Sequence, residues 1–209
     1  MEVSRIRALR GPNLWSRHTA LEAIVACTAE ERSIANFSGL EARLRALFPG
    51  LGVLHDSASP GGGAVSLAHV LEAATLALQE AAGCPVTFSR TSATLEAGTY
   101  QVVVEYSEEE VGRLALKLAR ALITAALDDT AFDVEAALAE LRDLNEDERM
   151  GPSTGAIVEA AVARGIPFRR LTKGSMVQFG WGSRQRRIQA AELDSTSAVA
   201  ESIAQDKDL

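Results

Sequence analysis

The chain of 209 residues is poor in the residues that mark many functional classes: two cysteines, three histidines and 5% aromatic side chains. Cys27 and Cys84 stand apart in apolar surroundings without a CxxC partner, so neither a disulfide framework nor a zinc knuckle is expected, and both should be buried reduced thiols. No run approaches the roughly 18 uninterrupted apolar residues that span a bilayer, and the opening MEVSRIRALRG lacks the apolar stretch of a signal peptide. A cytoplasmic protein without membrane partners is expected. A net charge of −7 and the absence of an RNP-like aromatic motif argue against nucleic acid. No GxxxxGK[ST] loop occurs, and the GWG turn at Gly180–Gly182 lacks the strand and helix context of a phosphate loop. What is abundant is apolar surface, 47% of residues, enough for one substantial core or two modest ones.

The charge is unevenly spread. Residues 1–150 carry 13 basic and 22 acidic side chains, a net −9, whereas residues 151–209 carry 8 and 6, a net +2. No acidic residue falls between Glu159 and Glu192, a stretch holding Arg164, Arg169, Arg170, Lys173, Arg184, Arg186 and Arg187, which could attract an anionic ligand. The break coincides with NEDERMGPST, which places a domain boundary near residue 150.

Periodicity supplies the elements. VSRIRAL alternates as a half-buried strand, and a second strand is expected at Glu22–Cys27. Leu40, Leu44 and Leu47 set a short helix ended by Pro49-Gly50. After the Gly-rich Ser59–Gly63, helical spacing of Leu67, Val70, Leu71, Ala74 and Leu78 predicts a helix over Ser66–Ala82. VTFSRT and GTYQVVVEY read as a hairpin or neighbouring strand pair around Gly98. A helix with Ser107 as N-cap and Glu110 at its third position follows, with Val111, Leu114, Leu118, Leu122 and Ala125 as its stripe. Another helix spans Asp133–Leu144. Beyond the boundary a helix is expected at Ser153–Arg164, strands at IPFRRL, MVQFGWG and QRRIQAAEL, and a last helix at Thr196–Lys207. The fold class is therefore α/β, α+β-like: a small N-terminal domain with a mixed or antiparallel sheet packed by helices, then a further α/β segment.

Four stretches in this order, RGPNLWS, TYQVVVEYSEEEVGR, GPSTGAIVEAAVARGIPFRRL and SMVQFGWGSRQRRIQAAELDSTSAVAESIAQDK, resemble cyanophycin synthetases and cover most of the chain. The resemblance implies a polymer-handling N-terminal domain over 1–150 and the beginning of an ATP-grasp domain over 151–209, with the rest of that domain and a Mur-ligase-like domain missing here. It implies that the parent is an ATP- and Mg²⁺-dependent ligase. That ligase adds aspartate to the polymer's C-terminal carboxylate and arginine to the aspartate side chain, through acyl phosphates. Cyanophycin is the implied partner, and a homo-oligomer the implied assembly. No cofactor is expected on this segment alone, nor ligase activity by it.

Some members of this family also carry a hydrolytic site on a helix resembling HxxEH, where two histidines one turn apart hold zinc and a glutamate activates water. The corresponding stretch here is AHVLEAATLALQE: His69 and Glu72 are present, Ala73 replaces the second histidine, and His55 is a third candidate. No bound metal is expected from so few ligands. For a polymer rich in guanidinium groups, Glu105, Glu108, Glu109 and Glu110 are candidate contacts, although acids in a first helical turn also complement the helix dipole. Arg184, Arg186 and Arg187 are candidates for a carboxylate, with strand alternation directing 184 and 186 to one face and 187 to the other. Trp15 and Trp181 are expected as packing anchors. Three readings stay open: a polymer-binding module, a metal-dependent polymer-clipping enzyme, and a structural or oligomerising domain.

Overall fold

The computed structural model describes residues 1–52, 54, 64–190, 192–197 and 201. The chain divides into two units, Met1–Glu148 and Arg149–Leu209. In the first, β1 (Glu2–Leu9), β2 (Ala20–Ala26), β3 (Ser89–Ala93) and β4 (Thr99–Glu105) form one antiparallel sheet in the order β1-β2-β4-β3. The central strands are the most apolar. Ala23, Val25, Val102 and Val104 point to the core, while the outer strands carry Arg5, Arg7 and Arg90, and charged side chains on edge strands discourage further strand pairing.

Helices cover one face of this sheet. They are α1 (Leu40–Leu47), α2 (Leu67–Ala81), α3 (Glu109–Asp128) and α4 (Val134–Glu148). α2 packs on β3, β4 and α3, and α3 packs in turn on α1 and α4. Because α2 is enclosed on nearly all sides, Leu67, Val70, Leu71, Ala74 and Leu78 are all fully buried, as their spacing predicts. α3 departs from expectation in two ways. It begins at Glu109 with Glu108 as its N-cap, not at Ser107, so the anticipated capping box does not form. Its buried stripe also widens to include Ala115, Ala119, Ile123 and Ala126, with Leu114 and Leu118 only partly buried, because it has helices on two sides. α4 runs on through the acidic segment to Glu148, four residues past its expected end.

The second unit holds α5 (Pro152–Ala163) and an antiparallel meander of β5 (Phe168–Arg170), β6 (Met176–Phe179), β7 (Arg186–Gln189) and β8 (Glu192–Leu193). Four short strands stand where three were expected. QRRIQAAEL divides because Ala190 adopts a left-handed backbone (φ 56°), which turns the chain between β7 and β8. Val158, Val177 and Ile188 make its small core. The Gly-rich Ser59–Gly63 lies outside the described residues, as does most of the helix expected at Thr196–Lys207.

No helix among the described residues is long and apolar enough to cross a membrane. Cys27 and Cys84 are buried free thiols, and burial pushes both upward from the ordinary thiol range. One glycine is sterically required. A Cβ on Gly112 of α3 would come 2.7 Å from the Tyr106 Cβ and 3.3 Å from Leu21 Cδ1. Gly112→Ala should therefore lower stability by about 1–3 kcal/mol despite alanine's higher helix propensity. A shift of the urea midpoint to lower denaturant would confirm this, and an unchanged or higher midpoint would refute it.

Candidate functional site

The HxxEH-like segment forms the start of α2, and its polar residues share the face turned to the sheet. His69 is the third residue of the helix and reaches back to the N-cap, Ser66. Its Nδ1 accepts the Ser66 backbone N–H at 3.2 Å and lies 2.9 Å from Ser66 Oγ. This is the reciprocal arm of a capping box, with histidine in place of glutamate. The ring meets Tyr100 of β4 edge to face, with centroids 5.8 Å apart. Glu72, one turn on, accepts a hydrogen bond from Ser89 Oγ of β3 at 2.8 Å. Thr75 and Gln79 continue the line and are fully buried. Burial raises the Glu72 carboxyl above its ordinary range, against the smaller opposing effect of hydroxyl hydrogen bonds, and burial lowers the His69 imidazole.

These contacts do not fit zinc. The Ser66 backbone N–H can only donate, so this contact occupies the Nδ1 lone pair of His69 and pairs with a ring proton on Nε2. A metal at Nε2 would require that proton on Nδ1, donated outward to an acceptor, which is the usual arrangement of a zinc-bound histidine. Here that proton would displace the Ser66 N–H from Nδ1 and break the cap, leaving the Ser66 hydroxyl at 2.9 Å to accept it. Glu72 is held by a hydroxyl, Ala73 offers a methyl group packed against the core, and His55 lies outside the described residues. No group of three or more His, Cys, Asp or Glu side chains that could hold a metal occurs among the described residues.

The acidic candidates are dispersed. Glu109 is bound by Arg10 Nε at 2.7 Å and by Arg113 Nη2 at 2.9 Å, and chiefly Arg10 holds its carboxyl below the ordinary range. Glu110 is exposed and Glu108 half-buried. Glu105 is 6% exposed, and its Oε2 accepts the backbone N–H groups of Thr87 and Phe88, both at 2.9 Å, while Oε1 lies 3.5 Å from His18 Nδ1. Glu105 thus fastens the approach to β3. Of the basic candidates, Arg186 and Arg187 fall on opposite faces of β7, with Arg186 on the side of the buried Ile188. Arg184 does not join their alternation, because Gly182–Arg184 is a turn of 3₁₀ helix before the strand. Trp181 is 48% exposed and so is not the buried anchor expected of it; Trp15 is half-buried, with Arg90 5.8 Å above its ring.

The face of the first sheet away from the helices was missed as a feature. In register, Arg7, Glu22, Val103 and Arg90 form one row across the four strands, and Arg5, Ile24, Gln101 and Ser92 the next. Glu22 is 4% exposed and accepts hydrogen bonds from Arg7 and Gln101. The alternation in RIR already placed Arg5 and Arg7 together, but which strands lie beside them depends on the sheet order.

The protein is thus of the α+β class, with helices on one face of a four-stranded antiparallel sheet and a charged face on the other. A family model described as the cyanophycin synthase-like N-terminal domain matches residues 23–128, and the chain belongs to that family. Over its whole length it is similar to the cyanophycin synthetases of Trichormus variabilis (strain ATCC 29413 / PCC 7937) and of Nostoc sp. (strain PCC 7120 / SAG 25.82 / UTEX 2576), each 35% identical over 221 aligned positions. That of Synechocystis sp. (strain ATCC 27184 / PCC 6803 / Kazusa) is 34% identical over 224. The chain spans about a quarter of the length of these relatives, 24%, 24% and 25%.

Two outcomes follow from the α2 contacts. Equilibrium dialysis should find no stoichiometric zinc on the chain, and none after Ala73→His, because His69 is engaged by the Ser66 cap and Glu72 by the Ser89 hydroxyl; one tightly held zinc per chain in either protein would refute this. For Glu72, a folded pKa above the unfolded one means its contribution to stability is present at low pH and lost as pH rises out of the ordinary carboxylate range. Glu72→Gln should therefore match the parent at acid pH and exceed it in melting temperature near neutrality. Equal melting temperatures throughout would refute that assignment.

Proposed function

We propose that this chain is the polymer-handling N-terminal portion of a cyanophycin synthetase, in which residues 1–150 bind and position the aspartate–arginine polymer and residues 151–209 begin an ATP-grasp domain. The observation that carries the reading is similarity along the entire chain to proteins of that name, together with the family match over 23–128. The parent is read as an ATP-dependent amino-acid ligase, cytoplasmic and homo-oligomeric; buried free thiols suit a reducing compartment.

Catalysis is assigned elsewhere in the parent. ATP with Mg²⁺ would convert a carboxylate into an acyl phosphate. The described residues offer neither a metal-binding group of acids nor a phosphate loop, so no step is assigned to them. The hydrolytic alternative is disfavoured by the cap on His69 and by Ala73. What this chain can supply is ionic recognition: exposed Glu110 toward guanidinium groups, and exposed Arg184, Arg186 and Arg187 toward carboxylates.

Sedimentation with insoluble cyanophycin tests the proposal. The chain should pellet with the polymer at low salt, be released several-fold at high salt as ionic contacts are screened, and liberate no soluble dipeptide or oligomer. Failure to pellet at low salt would leave a structural domain, and release of soluble fragments would restore the hydrolytic reading.

A further inference from the structure

We propose that the α-amino group of Met1, where it is free, is a charged fastening of the fold, and that acylating it with a formyl or acetyl group unfastens the start of α2.

Met1 precedes the first residue of β1 and lies at the end of the sheet where Glu2 pairs with Ala26 and Ala26 with Thr99. Its side chain packs against the main core. Its ammonium group pairs with Oε1 of Glu31, and the two side chains are only 7% and 15% exposed. Glu31 Oε2 accepts the Thr28 backbone N–H at 2.8 Å, and Thr28 Oγ1 in return accepts the Glu31 N–H at 3.4 Å. Burial alone would raise the Glu31 carboxyl; the Met1 ammonium and the Thr28 amide reverse this and hold it below its ordinary range. Arg32, the next residue, is committed elsewhere, because its guanidinium donates to the Ala97 carbonyl at 3.1 Å in the turn between β3 and β4.

Glu31 also holds α2 through its backbone. Its carbonyl accepts the N–H of Leu67, the first residue of α2, at 2.9 Å, and nearby the Val65 carbonyl accepts the Ile34 N–H at 2.8 Å. The first N–H groups of a helix have no partner inside it, so the Glu31 carbonyl satisfies a donor that the Ser66–His69 box leaves open. One path of contacts thus runs from the terminal charge to a carboxylate, along the backbone of the same residue, and into the first turn of α2.

An acyl group turns the ammonium into a neutral amide with a single N–H, and a peptide bond to a preceding residue does the same. Glu31 then keeps its charge, largely out of water, without the countercharge, which is the costly way to break such a pair. Relief requires the Thr28–Glu31 turn to open toward water, which withdraws the carbonyl from Leu67. Because the amine is covered once the chain has folded, its chemical state is read while the chain folds and protected afterwards.

The test compares the full chain carrying a free Met1 amine with the same chain acetylated enzymatically at that amine, each with Glu31 and with Glu31→Gln, by amide hydrogen exchange. Acetylation should speed exchange at Leu67 about tenfold, the scale of one lost charged hydrogen bond. Exchange at Tyr106, whose N–H is bonded to the Thr19 carbonyl at the other end of the sheet, should stay within about a factor of two. In the Glu31→Gln chain acetylation should add nothing. Unchanged exchange at Leu67 overturns the proposal, as does equal acceleration at Tyr106, which would make the effect global. Undiminished acceleration in the Glu31→Gln chain also overturns it, since the acyl group would then act by bulk and not by charge. If Glu31→Gln does not fold, acylation of the Met1 amine by an active ester is timed in folded and urea-unfolded parent chain instead. Protection of about tenfold or more in the folded chain is expected, and equal rates overturn the proposal.

Discussion

The hydrogen bond from Gln79 Nε2 to the carbonyl oxygen of Glu105, 2.9 Å long and completely buried, ties the middle of the molecule together. It joins the last turn of the enclosed helix α2 to the end of the central strand β4. The same amide also reaches the Thr75 carbonyl at 3.3 Å, while Gln79 Oε1 has no partner, an omission that typically costs about 1–3 kcal/mol. A helix placed here by apolar packing alone could slide along the sheet. Glu72 and Gln79 fix it, through Ser89 on β3 and the β4 backbone, while His69 closes the helix's own N-cap. Directional bonds of this kind add little net stability but discriminate strongly between registers.

The same seam includes the two residues that resemble a hydrolytic motif, and it engages both of them in structural hydrogen bonds. The sequence pattern of His69 and Glu72 at i and i+3 is compatible with catalysis or with a buried polar seam, because both need polar groups on one helical face. Only tertiary structure separates them. The detail that the sequence hides is that Ser66 lies at the N-cap and engages Nδ1 of His69. S-x-x-H at a helix start could have been read as a cap, but histidine is not the usual reciprocal partner.

Much of the architecture was legible where periodicity was strong. α2 was predicted within one residue at each end, and β4 likewise, because long apolar repeats leave few alternatives. The misreadings have local causes. Ser107 looked like a cap, yet the chain stays extended through Glu108 as it leaves β4, so α3 starts later. Arg184 looked like a strand residue, yet Gly180 and Gly182, with φ of 66° and 61°, bend the chain before β7. The acidic run at Glu108–Glu110 drew notice as charge alone, whereas Glu109 is neutralised by arginines 99 positions upstream and four downstream. Sequence shows charges, but not which of them are already spent.

The same distinction governs the helix-free face of the first sheet. Carboxylates in the first unit outnumber cations, so a reader of composition looks for an acidic binding site. In the folded chain Glu22 and Glu105 on the central strands are buried, whereas Glu2, Arg5, Arg7 and Arg90 on the outer strands are exposed, with Arg7 paired to Glu22. On the central strands these acids are buried, and on the edge strands the arginines are exposed. Strand order therefore decides which charges of an acidic sequence stay in water and which are buried against partners.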